Sequence, residues 1–306
     1  MSTTRSSSST RRETVGGLLV GLSALLFGIV VLLGKFARRH GLSVEAMLSI
    51  RFGLAALLLA AALVALRRPL FAEPGERLGL ALLALLGYAV EATFFFTALG
   101  HGTVAAVTLL FFTYPVLVTL GTWAIGRVAP ARQTLLSLGC ALVGSVIVVG
   151  TGAGLQIETL GVVLALSSAI TFSCYLVGAD AVLRRTNALT SAMWVSAGAS
   201  IGLFLYANAI GHWRLPAGSN EWFLLLGMGL ASAAAFVCLM EGIQRIGAVR
   251  TAIVSALEPL AAATLAWLFL GEVVTWGIAI GGTLILVAAV TASLARSATP
   301  QEQQIP

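Results

Sequence analysis

Long uninterrupted runs of apolar residues dominate the sequence, and they most restrict what the chain can fold into. Each run matches the roughly 20 residues that a helix needs to cross a bilayer, whereas a membrane β-barrel would show segments of about 10 residues with alternating polarity. Only 10% of the residues are charged, compared with about 25% in soluble domains. Lipid is therefore the main solvent of the chain, which excludes a soluble enzyme, a secreted disulfide scaffold and a disordered protein.

The apolar runs predict ten transmembrane helices in an all-α integral membrane protein. Segments containing Pro, Gly and Arg separate the runs, and the first run is too long for a cleaved signal peptide. Residues 1–13 are predicted to be a disordered cytoplasmic N-terminus and residues 296–306 a cytoplasmic tail. The predicted spans are residues 14–36, 43–66, 78–99, 103–125, 131–150, 158–180, 188–211, 220–243, 247–270 and 274–295.

The distribution of Lys and Arg predicts the orientation of these spans, because basic residues accumulate on the cytoplasmic side of a membrane. Of the 18 Lys and Arg residues, thirteen lie on the side of the N-terminus, four lie on the opposite side, and one lies within a span, so both termini are placed in the cytoplasm. The thirteen are Arg5, Arg11, Arg12, Arg67, Arg68, Arg77, Arg127, Arg132, Arg184, Arg185, Arg245, Arg250 and Arg296; the four are Lys35, Arg38, Arg39 and Arg214.

The chain also repeats itself at an offset of about 145 residues. Because each copy has five spans, an odd number, the second unit (residues 158–295) crosses the membrane in the opposite sense to the first (residues 14–150). Inverted repeats are typical of secondary transporters, whose substrate sites lie near the bilayer midplane. The matches are Glu13-Thr14-Val15-Gly16 with Glu158-Thr159-Leu160-Gly161, Ser23 with Ser168, Phe27 with Phe172, and, at an offset of 144, Tyr114-Pro115 with Glu258-Pro259.

Three short motifs mark the second half: Ser255, Glu258-Pro259, and Leu270-Gly271-Glu272 before the last span. The first half has the matching Pro115 but ends in Gly126-Arg127. Together with ten spans in two halves, these motifs resemble the EamA-type exporters of the drug/metabolite transporter superfamily, in which Gly-Glu is common at the place of Gly126-Arg127. The resemblance implies a secondary transporter, and the hydropathy is similar to that of bacterial amino-acid exporters.

Pro115 and Pro259 lie at the centres of the fourth and ninth predicted spans. A proline within a helix removes a backbone donor and frees a carbonyl, which in lipid must be satisfied by protein or by water in a cavity. Two such positions related by the repeat predict hinges beside a central cavity. Static kinks that only improve packing are the alternative.

Glu258 directly precedes Pro259 near the bilayer midplane, where a carboxylate is costly and usually faces a bundle interior or a wet cavity. Thr251, Ser255 and Glu258 share one face of a helix by their spacing. Glu258 is predicted either to contact a substrate ammonium or a proton, or to be a structural acceptor that ties the ninth span to its neighbours.

Glu91 is the only acid in the third span, and Tyr88, Glu91 and Phe95 form a stripe on one helical face. An acid flanked by aromatic rings can bind an ammonium group through charge and cation–π attraction. The alternative is a hydrogen-bonded buried carboxyl group. Arg51, in the second span, is expected to pair within the membrane with Glu45, Glu91 or a substrate carboxylate, unless it snorkels to the outer interface.

Tyr114, Tyr175 and Trp194 are further candidates for the cavity wall, although Trp and Tyr also form aromatic belts at membrane interfaces. The sequence contains no phosphate-binding loop and no metal-ligand spacing, so no cofactor, no metal and no nucleic-acid partner are expected. The three cysteines are predicted to be buried thiols.

These features predict a secondary transporter in the bacterial inner membrane, not an enzyme. The resemblance to bacterial amino-acid exporters implies that it exports small metabolites, in particular amino acids including aromatic ones, and the spans that combine aromatic and acidic residues agree with this substrate class. We expect it to work by alternating access and to act as a monomer. A drug or nucleotide-sugar carrier of the same superfamily is the first alternative, and a non-transporting membrane protein is the second.

Overall fold

The computed structural model describes residues 3–126, 132–150, 157–182, 185–255 and 257–297, and within these ranges every regular element is helical. Arg127 and Arg184 of the charge distribution, and the predicted tail from residue 298 onward, lie outside them. The elements are α1 (Thr3–Arg39), α2 (Val44–Ala65), α3 (Arg77–Leu82), a π-helix (Leu83–Tyr88), α4 (Ala89–Ala98), α5 (Val104–Phe111), α6 (Tyr114–Gly126), α7 (Arg132–Gly150), α8 (Thr159–Val182), α9 (Ala188–Ala209), α10 (Ser219–Val254), α11 (Leu257–Leu270) and α12 (Trp276–Ser297).

Six stretches of the described chain are long and apolar enough to cross a membrane, and their ends lie within a few residues of the predicted spans. They are Glu13–Arg39, Val44–Ala65, Arg77–Ala98, Thr159–Asp180, Ala188–Ala209 and Ser219–Gly247. Three shorter apolar helical stretches are Val104–Val118, Leu257–Leu270 and Trp276–Ala288. Helix α1 begins at Thr3, so it includes most of the segment 1–13 for which the sequence predicts disorder.

The fourth predicted span is not one continuous helix. It consists of α5 and α6, and Pro115 is the second residue of α6, where a missing N–H leaves no helical bond unmade. Pro259 likewise lies in the first turn of α11, close behind the end of α10 at Val254. Both prolines therefore stand at the start of a half-span after a break in the helix, and neither sits inside an unbroken helix.

A π-helical turn interrupts the third span just before its acidic residue. The turn covers Leu83–Tyr88 between α3 and α4. Gly87 lies in it, and a Cβ on this glycine would come within 3.2 Å of the Tyr175 ring. Such insertions are frequent at functional sites, and here the wider turn ends at Tyr88, three residues before Glu91.

Helix packing follows a pattern that is preserved when the two halves of the chain are exchanged. Helix α1 packs along α10 and α11, and α8 packs in the same way along α4 and along α5 and α6. Helix α2 packs against α9, and α7 against α12. The buried core runs through the middle of this bundle, and many large apolar side chains on its outside are exposed.

Candidate functional site

A small cavity of about 40 Å³, measured as the space open to the centres of water molecules, lies inside the bundle and is bordered by α1, α2, α4, α5, α8 and α11 together with Tyr88 of the π-helix. Its walls combine three charged side chains with five phenylalanines, one tyrosine and three small apolar residues. The lining residues are Arg51, Glu91, Glu258, Phe27, Phe95, Phe96, Phe111, Phe172, Tyr88, Val30, Val31 and Ala92. Residues distant in the sequence thus meet around one space.

Glu91 is held on the cavity wall by a hydrogen bond from another helix. The hydroxyl of Ser168 in α8 donates to Glu91 Oε1 over 3.0 Å, and both residues are buried. The predicted stripe of Tyr88, Glu91 and Phe95 lies together on the wall. Glu91 is therefore both anchored in the bundle and directed at the cavity.

Arg51 is packed against two aromatic rings and is only 2% exposed, so it does not snorkel to the interface. Its guanidinium carbon lies 4.1 Å from the centre of the Phe52 ring and 5.1 Å from that of Phe96. The guanidinium is within hydrogen-bonding reach of the Tyr88 hydroxyl and interacts electrostatically with Glu91.

Two of the pairings expected for Arg51 are not ion pairs in the structure. Glu45 lies 3.6 Å from Nδ1 of His212, near the end of the bundle. Between Arg51 and Glu91, both of which are described, no nitrogen–oxygen distance falls within 4.0 Å. Arg51 Nε has no hydrogen-bond acceptor in the described part of the chain.

Glu258 reaches the same cavity from the first turn of α11 and is partly buried. Its backbone N–H donates to the Ser255 carbonyl over 2.8 Å, which closes the turn at the helix break. The Glu258 carboxylate is near enough to Glu91 and to Tyr114 for electrostatic interaction. Among the residues that the structure describes, no side chain or backbone group donates a hydrogen bond to this carboxylate.

Aromatic rings surround these charges, and Tyr88 is at their centre. Its ring lies 5.2 Å from that of Tyr175 and 4.7 Å from that of Phe236, both edge-on. Tyr114 lies 4.8 Å from Phe172 in the same arrangement. Tyr114 and Tyr175 thus stand directly behind the wall residues, and Ser255 is within hydrogen-bonding reach of Tyr114.

The structure does not bring Trp194 to this cavity. Its indole Nε1 donates to the Leu70 carbonyl over 3.0 Å, in the connection that follows α2. The neighbouring Thr190 bonds the Pro69 carbonyl over 2.7 Å in the same connection. Trp194 is not among the residues that line the cavity with Glu91; its side chain fixes a connection at one end of the bundle.

Several wall residues were missed by the sequence analysis: Phe27, Phe96, Phe111, Phe172 and Ser168. For three of them the signal was present, since Phe27 matches Phe172 and Ser23 matches Ser168 in the internal repeat. The two serines have different partners. Ser23 donates to the Ala235 carbonyl over 2.9 Å, whereas Ser168 donates to a carboxylate.

One end of the cavity region is closed by polar contacts around Lys35. Lys35 Nζ donates to the carbonyls of Leu99 (3.0 Å) and Gly102 (2.8 Å), and it lies 3.7 Å from the Glu272 carboxylate. Both oxygens of that carboxylate accept from the N–H of Val104, the first residue of α5. Four segments of the chain are joined at this point: the end of α1, the connection before α5, α5 itself and the connection after α11.

The family assignment rests on two separate sequence matches, one in each half of the chain. The sequence pattern of the EamA-like transporter family matches residues 14–150 and again residues 159–294. The chain belongs to the EamA-like transporter family. It is accordingly a multi-pass membrane protein.

Relatives agree with this assignment at the level of family and fold. An uncharacterized transporter from Synechocystis sp. is 31% identical over 176 residues, which is 56% of this chain and 52% of that protein, so the chain matches about half of its relative's length. A solved crystal structure aligns with a TM-score of 0.66 over 96% of this chain and 99% of the other. At 19% identity, this second match shows the shared fold alone.

Proposed function

We propose that this EamA-family transporter exports amino acids, including aromatic ones, across the bacterial inner membrane by alternating access. The observation that carries the proposal is the meeting of Arg51, Glu91 and Glu258 in one cavity with aromatic walls. Charged side chains within a membrane are costly and usually mark a substrate or ion pathway. Three of them around one cavity support a substrate with charges of both signs.

The aromatic walls favour the same class of substrate. A ring binds a cation through its face, and rings also bury apolar side chains through a large contact area. The cavity offers rings next to both carboxylates. An amino acid with an apolar or aromatic side chain supplies the ammonium group, the carboxylate and the apolar surface that these walls complement.

The exchange symmetry of helix packing supports an inverted repeat. In the proposed architecture, ten transmembrane helices form two five-helix units, residues 14–150 and 158–295, with both termini in the cytoplasm. The two separate family matches agree with these units, and the packing of α1 along α10 corresponds to that of α8 along α4. The cavity then lies between the units, as in other transporters built from inverted repeats.

The broken helices support movement around this cavity. The breaks before Pro115 and Pro259 occur at positions related by the repeat, and Glu258 is part of one of them. Discontinuous helices with their half-helix ends at the substrate are a recurrent feature of secondary transporters. We assign both prolines to hinges at which the cavity opens to one side or the other.

A nucleotide-sugar carrier is the less favourable alternative. Phosphate groups are usually bound by several Lys or Arg side chains, and the cavity wall has Arg51 as its one basic residue within the described chain. A cationic drug fits the carboxylates but leaves Arg51 without a role.

Uptake into liposomes tests the proposal. The purified protein is reconstituted and supplied with a panel of labelled amino acids, with and without a pH gradient, and with a labelled cationic drug in parallel. Amino-acid flux that is lost in Glu91→Gln and Glu258→Gln supports the proposal. Flux of the drug in the absence of amino-acid flux contradicts it. The dependence on the gradient then separates proton coupling from facilitated diffusion.

A further inference from the structure

The Arg51 side chain is packed against two aromatic rings, and one of its donors is unused. It is 2% exposed, its guanidinium carbon lies 4.1 Å from the centre of the Phe52 ring and 5.1 Å from that of Phe96, and Nε has no acceptor within the described chain. A guanidinium holds all its donors in one plane, so a further acceptor has to approach Arg51 in that plane. Among the described residues, the Tyr88 hydroxyl is within reach for such a bond.

A buried cationic donor without an acceptor is expensive. The missing acceptor is not supplied by Glu91, which instead accepts from Ser168 and stays beyond 4.0 Å from the guanidinium. Since Arg51 borders the cavity, the acceptor is best provided by what enters the cavity. A planar carboxylate matches the fork of guanidinium donors.

Within the described chain, Glu258 lacks a hydrogen-bond donor, whereas Arg51 Nε lacks an acceptor. Its carboxylate borders the cavity and has no hydrogen-bond donor among the described residues, although it is partly buried. In the part of the chain that the structure describes, no Lys, Arg or His side chain lies within 4.0 Å of the Glu258 carboxylate. Glu258 therefore presents an unused acceptor to whatever enters the cavity.

We propose that Arg51 binds the carboxylate of the transported amino acid and Glu258 binds its ammonium group, so that the cavity selects zwitterions by their two ends. This inference rests on the proposed function and assigns the substrate's orientation within it. Phe172 and Phe111, which border the space together with Glu258, then face the ammonium group and the side chain of the substrate.

Three probes of one shape separate the two ends. They are L-phenylalanine, phenethylamine, which lacks the carboxylate, and 3-phenylpropionate, which lacks the ammonium group. Binding is measured by calorimetry on the full-length protein in detergent. For the wild type we expect the highest affinity for phenylalanine. Because the wall has two carboxylates and one Arg, we expect phenethylamine to bind better than 3-phenylpropionate.

Substituting Arg51 or Glu258 is expected to change the affinities for the three probes in different ways. Arg51→Gln is expected to weaken phenylalanine binding about tenfold or more, as for the loss of a hydrogen bond to a charged group, and to leave phenethylamine binding within about twofold. Glu258→Gln is expected to weaken both phenylalanine and phenethylamine and to spare 3-phenylpropionate. Arg214→Gln, in the connection between α9 and α10, is the matched control and should bind all three like the wild type.

Two results overturn the inference: Arg51→Gln weakens phenethylamine as much as phenylalanine, or it leaves phenylalanine binding unchanged. If Arg51→Gln does not fold, Arg51→Lys keeps the charge but loses Nε and the planar fork. It must then weaken phenylalanine selectively, and an equal effect on the amine counts against the inference. If the proposed function itself is wrong, the wild type transports no amino acid into liposomes. If the wild type transports amino acids but the variants show no end-specific effects on binding, only the proposed orientation of the substrate is refuted.

Discussion

Ser168 Oγ donates a hydrogen bond to Glu91 Oε1 over 3.0 Å and thereby joins α8 to α4 at the cavity wall. Both residues are buried, at 0% and 5% exposure. The two helices belong to different halves of the chain. The bond therefore links the proposed repeats at the point where the substrate is expected to bind.

Loss of this bond is expected to reduce substrate affinity. Ser168→Ala leaves Glu91 without its donor, and a bond to a charged group contributes about 1.5–3 kcal/mol, so we predict an approximately tenfold or larger rise in Kd for the transported amino acid. Equilibrium binding in detergent measures it. Ser23→Ala is the matched control, because Ser23 is equally buried but donates to the neutral Ala235 carbonyl. Equal effects of the two variants on Kd would contradict the assignment of Glu91 to the site.

The ion pair between Lys35 and Glu272 is expected to stabilise one closed end of the protein. Both side chains are largely buried, and Glu272 also accepts from the N–H of Val104. Glu272→Gln and Lys35→Met should each lower the midpoint of thermal unfolding in detergent, since removing one partner leaves the other charge buried and unpaired. The double variant should be less destabilised than the sum of the two single variants.

Arg39→Gln at the exposed end of α1 serves as the control for this pair, and we expect no change in its unfolding midpoint beyond about 1 °C, as for most surface substitutions. Additive losses in the Lys35 and Glu272 variants would show that the two residues act independently. In that case the contact does not hold the two connections together.

The helix breaks at the two prolines are expected to govern turnover. Pro115→Ala and Pro259→Ala restore a backbone donor and favour a continuous helix, so we predict transport at least fivefold slower with substrate Kd changed less than twofold. Uptake into liposomes gives the rate, and binding in detergent gives Kd. Pro69→Ala, in the connection after α2, should transport normally. Wild-type transport rates in both proline variants would show that these prolines do not act as hinges.

Trp194 is expected to matter for stability and not for the substrate. Trp194→Phe removes the bond to the Leu70 carbonyl, which corresponds to about 1 kcal/mol, so the unfolding midpoint should fall while Kd is unchanged. Tyr88→Phe, which removes a hydroxyl beside Arg51, should raise Kd. If Trp194→Phe raises Kd and Tyr88→Phe does not, the substrate does not bind in the cavity that Tyr88 borders.

Hydropathy and residue spacing predicted the helices and much of the cavity wall. The runs of apolar residues located the spans because lipid requires each helix to satisfy its own backbone. The scarcity of charge singled out Arg51, Glu91 and Glu258, since a charged side chain within the membrane is costly and usually functional. All three border one cavity.

The remaining features depend on packing that a single sequence does not reveal. Trp194 and Tyr175 look alike as deep aromatic residues, yet one meets a connection and the other meets Tyr88. The π-helical turn that ends at Tyr88 and the contact of Arg51 with Phe96 also depend on the packing of separate segments. Periodicity along one helix contains no information about which neighbour covers each face.

Protection of an introduced cysteine from labelling by bound substrate tests directly whether the substrate binds in this cavity. Val30→Cys, on the apolar wall, is made in a chain whose three native cysteines are replaced by alanine, and His212→Cys on the exposed connection after α9 is the reference. Labelling by a small thiol reagent is followed with and without the transported amino acid. We predict that saturating substrate slows labelling at position 30 at least fivefold and leaves position 212 unchanged. If the variant transports the amino acid but position 30 is labelled equally fast with and without it, the substrate does not bind in this cavity.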